Sequence, residues 1–348
     1  HEGNKQKALE FFEQGLGTAF TRMHDIHDAT FPMTVYYAFK QAESDESSGG
    51  SVASTGWETM LSGLIQAGFM IIGTWPMRTE LGNRMVGMGT NALASSIVLV
   101  CRPRPDDAKT VTRREFLSAL KKELPQALHN LQQGLIAPVD LAQAAIGPGM
   151  AVFTRYAKVM ESDGSAMTVR TALGIINQIL DEVLAEQEGE FDTDTRWAVA
   201  WFEQHGMEEG PYGEAETLAT AKNIAVQGLV DAGILTAKGG KVHLINRSEY
   251  PNNWDPTTDT RLPVWEATQH LIRTLENQGE QGAADLLNKL GGTVGDQARD
   301  LAYRLYAICE RKKWSSEALA YNSLIISWPE ISKLAQGSLA GPTGQQTL

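Results

Sequence analysis

Thr55-Gly-Trp-Glu-Thr-Met-Leu-Ser-Gly-Leu-Ile-Gln-Ala-Gly68-Phe-Met-Ile-Ile-Gly-Thr-Trp75 decides the fold class, because its apolar period changes at Gly68. Before that glycine, Met60, Leu61, Leu64 and Ile65 recur at helical spacing, and Thr55 with Glu58 three positions on reads as a capping box. After it comes a short, continuous apolar run closed by Pro76, the mark of a buried strand. Working outward, Phe31-Pro-Met-Thr-Val-Tyr-Tyr-Ala-Phe39 is a second compact run of β-branched and aromatic residues. Lys5 to Met23 precedes it as a helix, with Leu9, Phe12, Leu16, Ala19 and Phe20 on one stripe. Residues Ala42 to Ser54 read as a loop, as does the Gly-rich stretch from Met77 to Ala94, and Ser95 to Cys101 is a third strand.

Strand, helix, strand, loop, strand predicts the last third of a doubly wound, Rossmann-like α/β sheet over residues 1–105. Three parallel strands would leave such a sheet open, so its front portion is expected upstream of His1. From Arg113 the apolar period becomes mainly helical, giving a helical region over 106–335 and a flexible tail over 336–348. Inside it, Gly239-Gly240 joins two short alternating runs, a hairpin signal. With the preceding helical stretch it predicts a winged-helix-like element near 214–247.

The 348 residues are 42% hydrophobic and 21% charged, the balance of a globular protein. No apolar run approaches the roughly 20 residues that span a bilayer. Two cysteines, Cys101 and Cys309, supply neither a metal set nor a disulfide framework, which points to the cytoplasm. A net charge of −12 argues against nucleic-acid binding by bulk charge. The run Arg102, Arg104, Arg113, Arg114, Lys121 and Lys122 is read as a solvated boundary.

Several short patterns imitate chemical motifs. The glycine pair Gly15 and Gly17 lies inside a helix with no strand before it, so it lacks the context of a nucleotide loop. Gly87-Met-Gly89 and Gly147-Pro-Gly149 are read as turns. His24 and His27 have metal-like spacing but too few companions, so no metal is expected. One group carries more. Ligands of open α/β sheets sit beyond the C-terminal strand ends, here Phe39-Lys40-Gln41 and Thr74-Trp75-Pro76. Trp75 offers a stacking face, Arg78, Arg84 and Lys40 suit phosphate, and Asn83 and Asn91 can read base edges. The competing reading makes Trp75 core and pairs Arg78 with Glu80.

Longer stretches also resemble a family. Pro32-Met-Thr-Val-Tyr-Tyr-Ala-Phe-Lys-Gln41, Thr74-Trp-Pro-Met-Arg-Thr-Glu80, Asp192-Thr-Asp-Thr-Arg-Trp197 and Trp265-Glu-Ala-Thr-Gln-His270 are similar to the large bacterial and archaeal DNA methylases with an N-terminal DUF1156 domain and a zinc-ribbon insertion. The resemblance implies the C-terminal part of an S-adenosylmethionine-dependent, adenine-specific DNA methyltransferase acting on double-stranded DNA. It also implies a place among phage-defence genes, with other defence proteins as partners. The family's cofactor loop and catalytic Pro-Pro-Tyr motif have no counterpart here, so neither catalytic nor cofactor residues carry over and the chain alone is expected to be inactive. The rival expectation is a non-catalytic helical adaptor that binds DNA or protein.

Overall fold

The computed structural model describes residues 5–37, 55–78 and 95–339. The expected loop at 42–54 and nearly all of the loop at 77–94 lie outside these residues, as does most of the tail. Contacts divide the chain into two compact units, one within 1–88 and 92–183 and one that takes in 184–348.

The first unit begins with α1 (Lys5–Ile26), β1 (Met33–Tyr37), α2 (Thr55–Gln66), β2 (Phe69–Arg78) and β3 (Ser95–Pro103). The expected strands are therefore present, but their arrangement differs from a plain parallel sheet. β3 lies between β1 and β2 and runs antiparallel to both, with Tyr36 and Trp75 each opposite Val98. β1 and β2 consequently point the same way, joined by the α2 crossover. Strand direction depends on distant pairing, which local periodicity does not encode.

One face of this sheet is covered. α4 (Pro138–Thr154) lies along β2, where the Ile71 N–H donates to Thr154 Oγ1 at 2.9 Å and the Thr74 hydroxyl donates to the Ala144 carbonyl at 3.1 Å. The close approach requires Gly147, since a Cβ there would sit 1.8 Å from Thr74 Oγ1. Gly147-Pro-Gly149 is thus a packing notch inside a helix, not a turn. α5 (Val169–Glu186) meets the same notch, with Ile176 against Gly149. Between β3 and α4 stand β4 (Thr110–Thr112) and α3 (Arg113–Gln133). β4 pairs in parallel with β5 (Lys158–Met160), which falls where sequence periodicity suggested helix. α1 buries Phe20, while Phe12 and Ala19 of its expected inward stripe are exposed.

The second unit starts with α6 (Thr193–His205), β6 (Gly210–Pro211), α7 (Tyr212–Ala221), α8 (Val226–Asp231), β7 (Leu235–Lys238) and β8 (Lys241–Leu244). The strands form an antiparallel sheet in the order β6-β8-β7. Gly239 and Gly240, with φ of +62° and +78°, make the tight β7–β8 turn expected from sequence. Three helices follow: α9 (Val264–Leu290), α10 (Gly292–Lys312) and α11 (Ser315–Leu339). α9 is bent at Gly279, whose φ of +69° and ψ of −168° are non-helical.

The α6 N-terminus is locked to the start of α9 by the Asp192-Thr-Asp-Thr run. Asp192 accepts from the Thr195 N–H at 2.8 Å as the helix cap and from the Val264 N–H at 2.9 Å. Thr195 Oγ1 accepts from the Trp265 N–H at 2.9 Å, and Asp194 takes both Nε and Nη2 of Arg261. Asp192, Asp194 and Thr195 are thereby committed to holding these two elements together.

Candidate functional site

The strand-end group is only partly described. Trp75 lies within β2, which continues through Pro76 to Arg78, so the expected break at Pro76 does not occur. Pro tolerates this position because β2 pairs on one side only among the described residues. Trp75 is 69% exposed, which removes the alternative that it is core. Arg78 occupies the last β2 position, opposite Ser95. Lys40, Asn83, Arg84 and Asn91 lie outside the described residues, as do Gly87 to Gly89 and Glu80.

Register places Trp75 in a wider patch. Tyr36 and Trp75 flank Val98 on the sheet face opposite Leu99 and Cys101. Tyr36 is 68% exposed, and Met77 and Ile72 are exposed beside Trp75. Two aromatic rings on one side of a sheet, near the C-terminal end of each parallel strand, form a platform able to stack on planar groups.

Four of the six residues in the basic run meet carbonyl or carboxylate partners, while Arg114 and Lys122 are exposed. Arg102 donates to the Ala29 and Thr30 carbonyls, Arg104 to the Ile65, Thr154 and Tyr156 carbonyls. Arg113 pairs with Glu161, and Lys121 pairs with Glu182. His24 and His27 pack edge-on against Phe69. In the hairpin turn, Lys241 pairs with Glu209 at 2.8 Å.

A second group went unseen in the sequence. Its residues come from the loop before α9 and from the first turns of that helix. Glu266 and His270, four apart and on one helical face, are 5% and 4% exposed. Glu266 packs against Gly233, where a Cβ would meet its carboxyl. Burial first, and the neighbouring Asp259 carboxylate second, push the Glu266 carboxyl up to about 8. Asp259 in turn accepts from the Trp254 indole N–H at 3.0 Å. The His270 ring stacks on Trp254 at 3.8 Å and lies 4.5 Å from the Tyr250 ring. Burial, and then the Arg273 charge, hold this imidazole down to about 4. At neutral pH the pair is therefore uncharged. The one signal in the sequence was polar residues recurring on an otherwise apolar helix start, Trp265-Glu-Ala-Thr-Gln-His270.

Residues 192–348 match the DUF8807 domain of unknown function. This corrects the expected assignment: the domain found differs from DUF1156, and the resemblance to the DUF1156 methylases does not stand. No curated protein and no solved structure matches the chain. The DUF8807 region contains the Asp192 lock, the β6-β8-β7 sheet and the Glu266–His270 group.

Proposed function

We propose that the first unit is the closing part of a Rossmann-like sheet in an S-adenosylmethionine-dependent DNA methyltransferase, with an adenine amino group as target. The observation that carries this reading is the strand order β1-β3-β2, with a reversed strand inserted between two parallel strands joined by a helix. Doubly wound sheets that are otherwise parallel commonly admit one antiparallel strand near an edge. Two further observations support it. The outer edge of β1 has no partner strand among the described residues. Tyr36 and Trp75, on one face of the sheet, are both largely exposed, and among the described residues no helix is seen against them.

Within this reading, Trp75 lies near the C-terminal strand ends where ligands of open sheets bind. Its indole is the stacking surface for a nucleotide, and Arg78 pairs with phosphate. None of the described residues is assigned to the cofactor, since the segments that follow β1 and β2, where nucleotide-type cofactors sit in such sheets, lie outside them. No methyl-transfer step is assigned to them. Among these residues no helix is long and apolar enough to cross a membrane.

The test is sequencing that detects N6-methyladenine in a host carrying the natural gene, the Trp75→Ala gene, or neither. Gene-dependent methylation that falls about tenfold in the variant is expected. A genome whose methylation ignores the gene would remove the proposal.

A specific observation favours a second reading, an adaptor that binds DNA or protein. The order α6-β6-α7-α8-β7-β8 with sheet order β6-β8-β7 is that of a winged-helix unit. In that case duplex binding survives without any methylation. Charge reversal at Lys238 and Lys241, on the exposed hairpin, then lowers its salt dependence.

A further inference from the structure

The bend in α9 opens a cleft of about 600 Å³ between its two arms and the loop before the helix. That volume is in the range that holds a small-molecule ligand. Its wall includes Trp254, His270, Arg273, Asn277, Asp285 and Lys289.

Three features give this cleft a chemical bias. First, the loop is strapped to both arms, by Arg273 donating to the Pro251 carbonyl at 3.1 Å and to Asn252, and by Lys289 pairing with Asp255 at 2.9 Å. The cleft is thus shaped before anything enters it. Second, the hydrogen bonds of Arg273 go to a carbonyl and an amide, so the guanidinium charge is not neutralised by a bonded carboxylate. Third, His270 is nine-tenths buried and lies on the wall, yet its Nε2 has no hydrogen-bond partner. A buried polar atom without a partner destabilises the site, and a ligand that bonds it relieves that cost.

We propose that this cleft binds a phosphate-bearing molecule of mononucleotide size. The Arg273 guanidinium, the Lys289 ammonium and the Asn277 amide carry more N–H donors than their bonds to the Pro251 carbonyl, Asn252 and the Asp255 carboxylate take up. The Asp285 carboxylate on the wall accepts from Gln281. The spare donors suit the several oxygens of a phosphate monoester. Trp254 adds an aromatic wall for a planar group. Asp285 on the wall and the net charge of −12 oppose a long polyanion, which needs a continuous basic track.

Calorimetric titration of the full chain with AMP, inorganic phosphate, adenosine and a short oligonucleotide tests the proposal. AMP binds saturably, phosphate binds more weakly, and adenosine does not bind. Arg273→Gln and Lys289→Gln each weaken AMP binding about tenfold, while Lys312→Gln, outside the cleft, has no effect. Lys289→Gln keeps the Arg273 strap and serves if Arg273→Gln unfolds. No saturation by ~10 mM AMP, equal affinity for adenosine, binding of the oligonucleotide alone, or indifference to both variants would each overturn the assignment.

Discussion

Glu266 and His270 together set how stability depends on pH. The Glu266 carboxyl titrates at about 8 in the folded chain against a usual 4.5, so folding holds its proton. Its contribution is complete below pH 4.5 and fades as pH rises to about 8. His270 behaves oppositely: its folded value of about 4 against a usual 6.5 means that folding sheds a proton. That contribution is complete above pH 6.5 and fades as pH falls to about 4. Between 4.5 and 6.5 the two proton changes cancel, so stability is flat there. Above 6.5 it falls by roughly 1.4 kcal/mol per pH unit until about 8. In Glu266→Gln the fall above 6.5 disappears and a rise from 4 to 6.5 is uncovered. Denaturant melts at stepped pH values check this, and a variant with the parent's profile would exclude the assignment. At Gly147 the effect is steric. Gly147→Ala should lose about 2 kcal/mol or more, because Thr74 and α4 must separate.

Among elements, the Asp192 lock is the most exposed to a single change. Asp192→Ala removes the α6 cap and leaves the Val264 N–H unbonded, costing about 2 kcal/mol in a thermal or denaturant melt. A loss under about 0.5 kcal/mol would show that water replaces the carboxylate. Helices and strands themselves were legible where the apolar period was long or changed abruptly, as at Gly68. The Gly239-Gly240 hairpin was legible because two positive-φ residues in a row have few other uses. β4 and β5 were not, since three-residue strands whose partners lie 48 positions apart leave no local pattern. Nor was the direction of β3, which depends on partners rather than on its own residues. The Glu266–His270 group stayed hidden for the same reason. Trp254 and Asp259 reach it only after the loop folds back on α9, whereas Trp75 stood out as an aromatic at a strand end.

For the whole molecule, the division into two units predicts that a polypeptide of residues 187–339 folds cooperatively by itself. Its large buried side chains Trp197, Trp201, Trp265, Tyr303 and Tyr321 all lie in that range. A single sharp thermal transition is expected; a broad, non-cooperative melt would show that it depends on the first unit. The sheet of the first unit has a different fate. Among the described residues the outer edge of β1 has no partner strand, and Tyr36 of β1 and Ile72, Trp75 and Met77 of β2 are exposed, which makes this sheet prone to self-association. The protein will therefore cloud as it is concentrated, and Tyr36→Lys with Trp75→Lys will raise the concentration at which it does so.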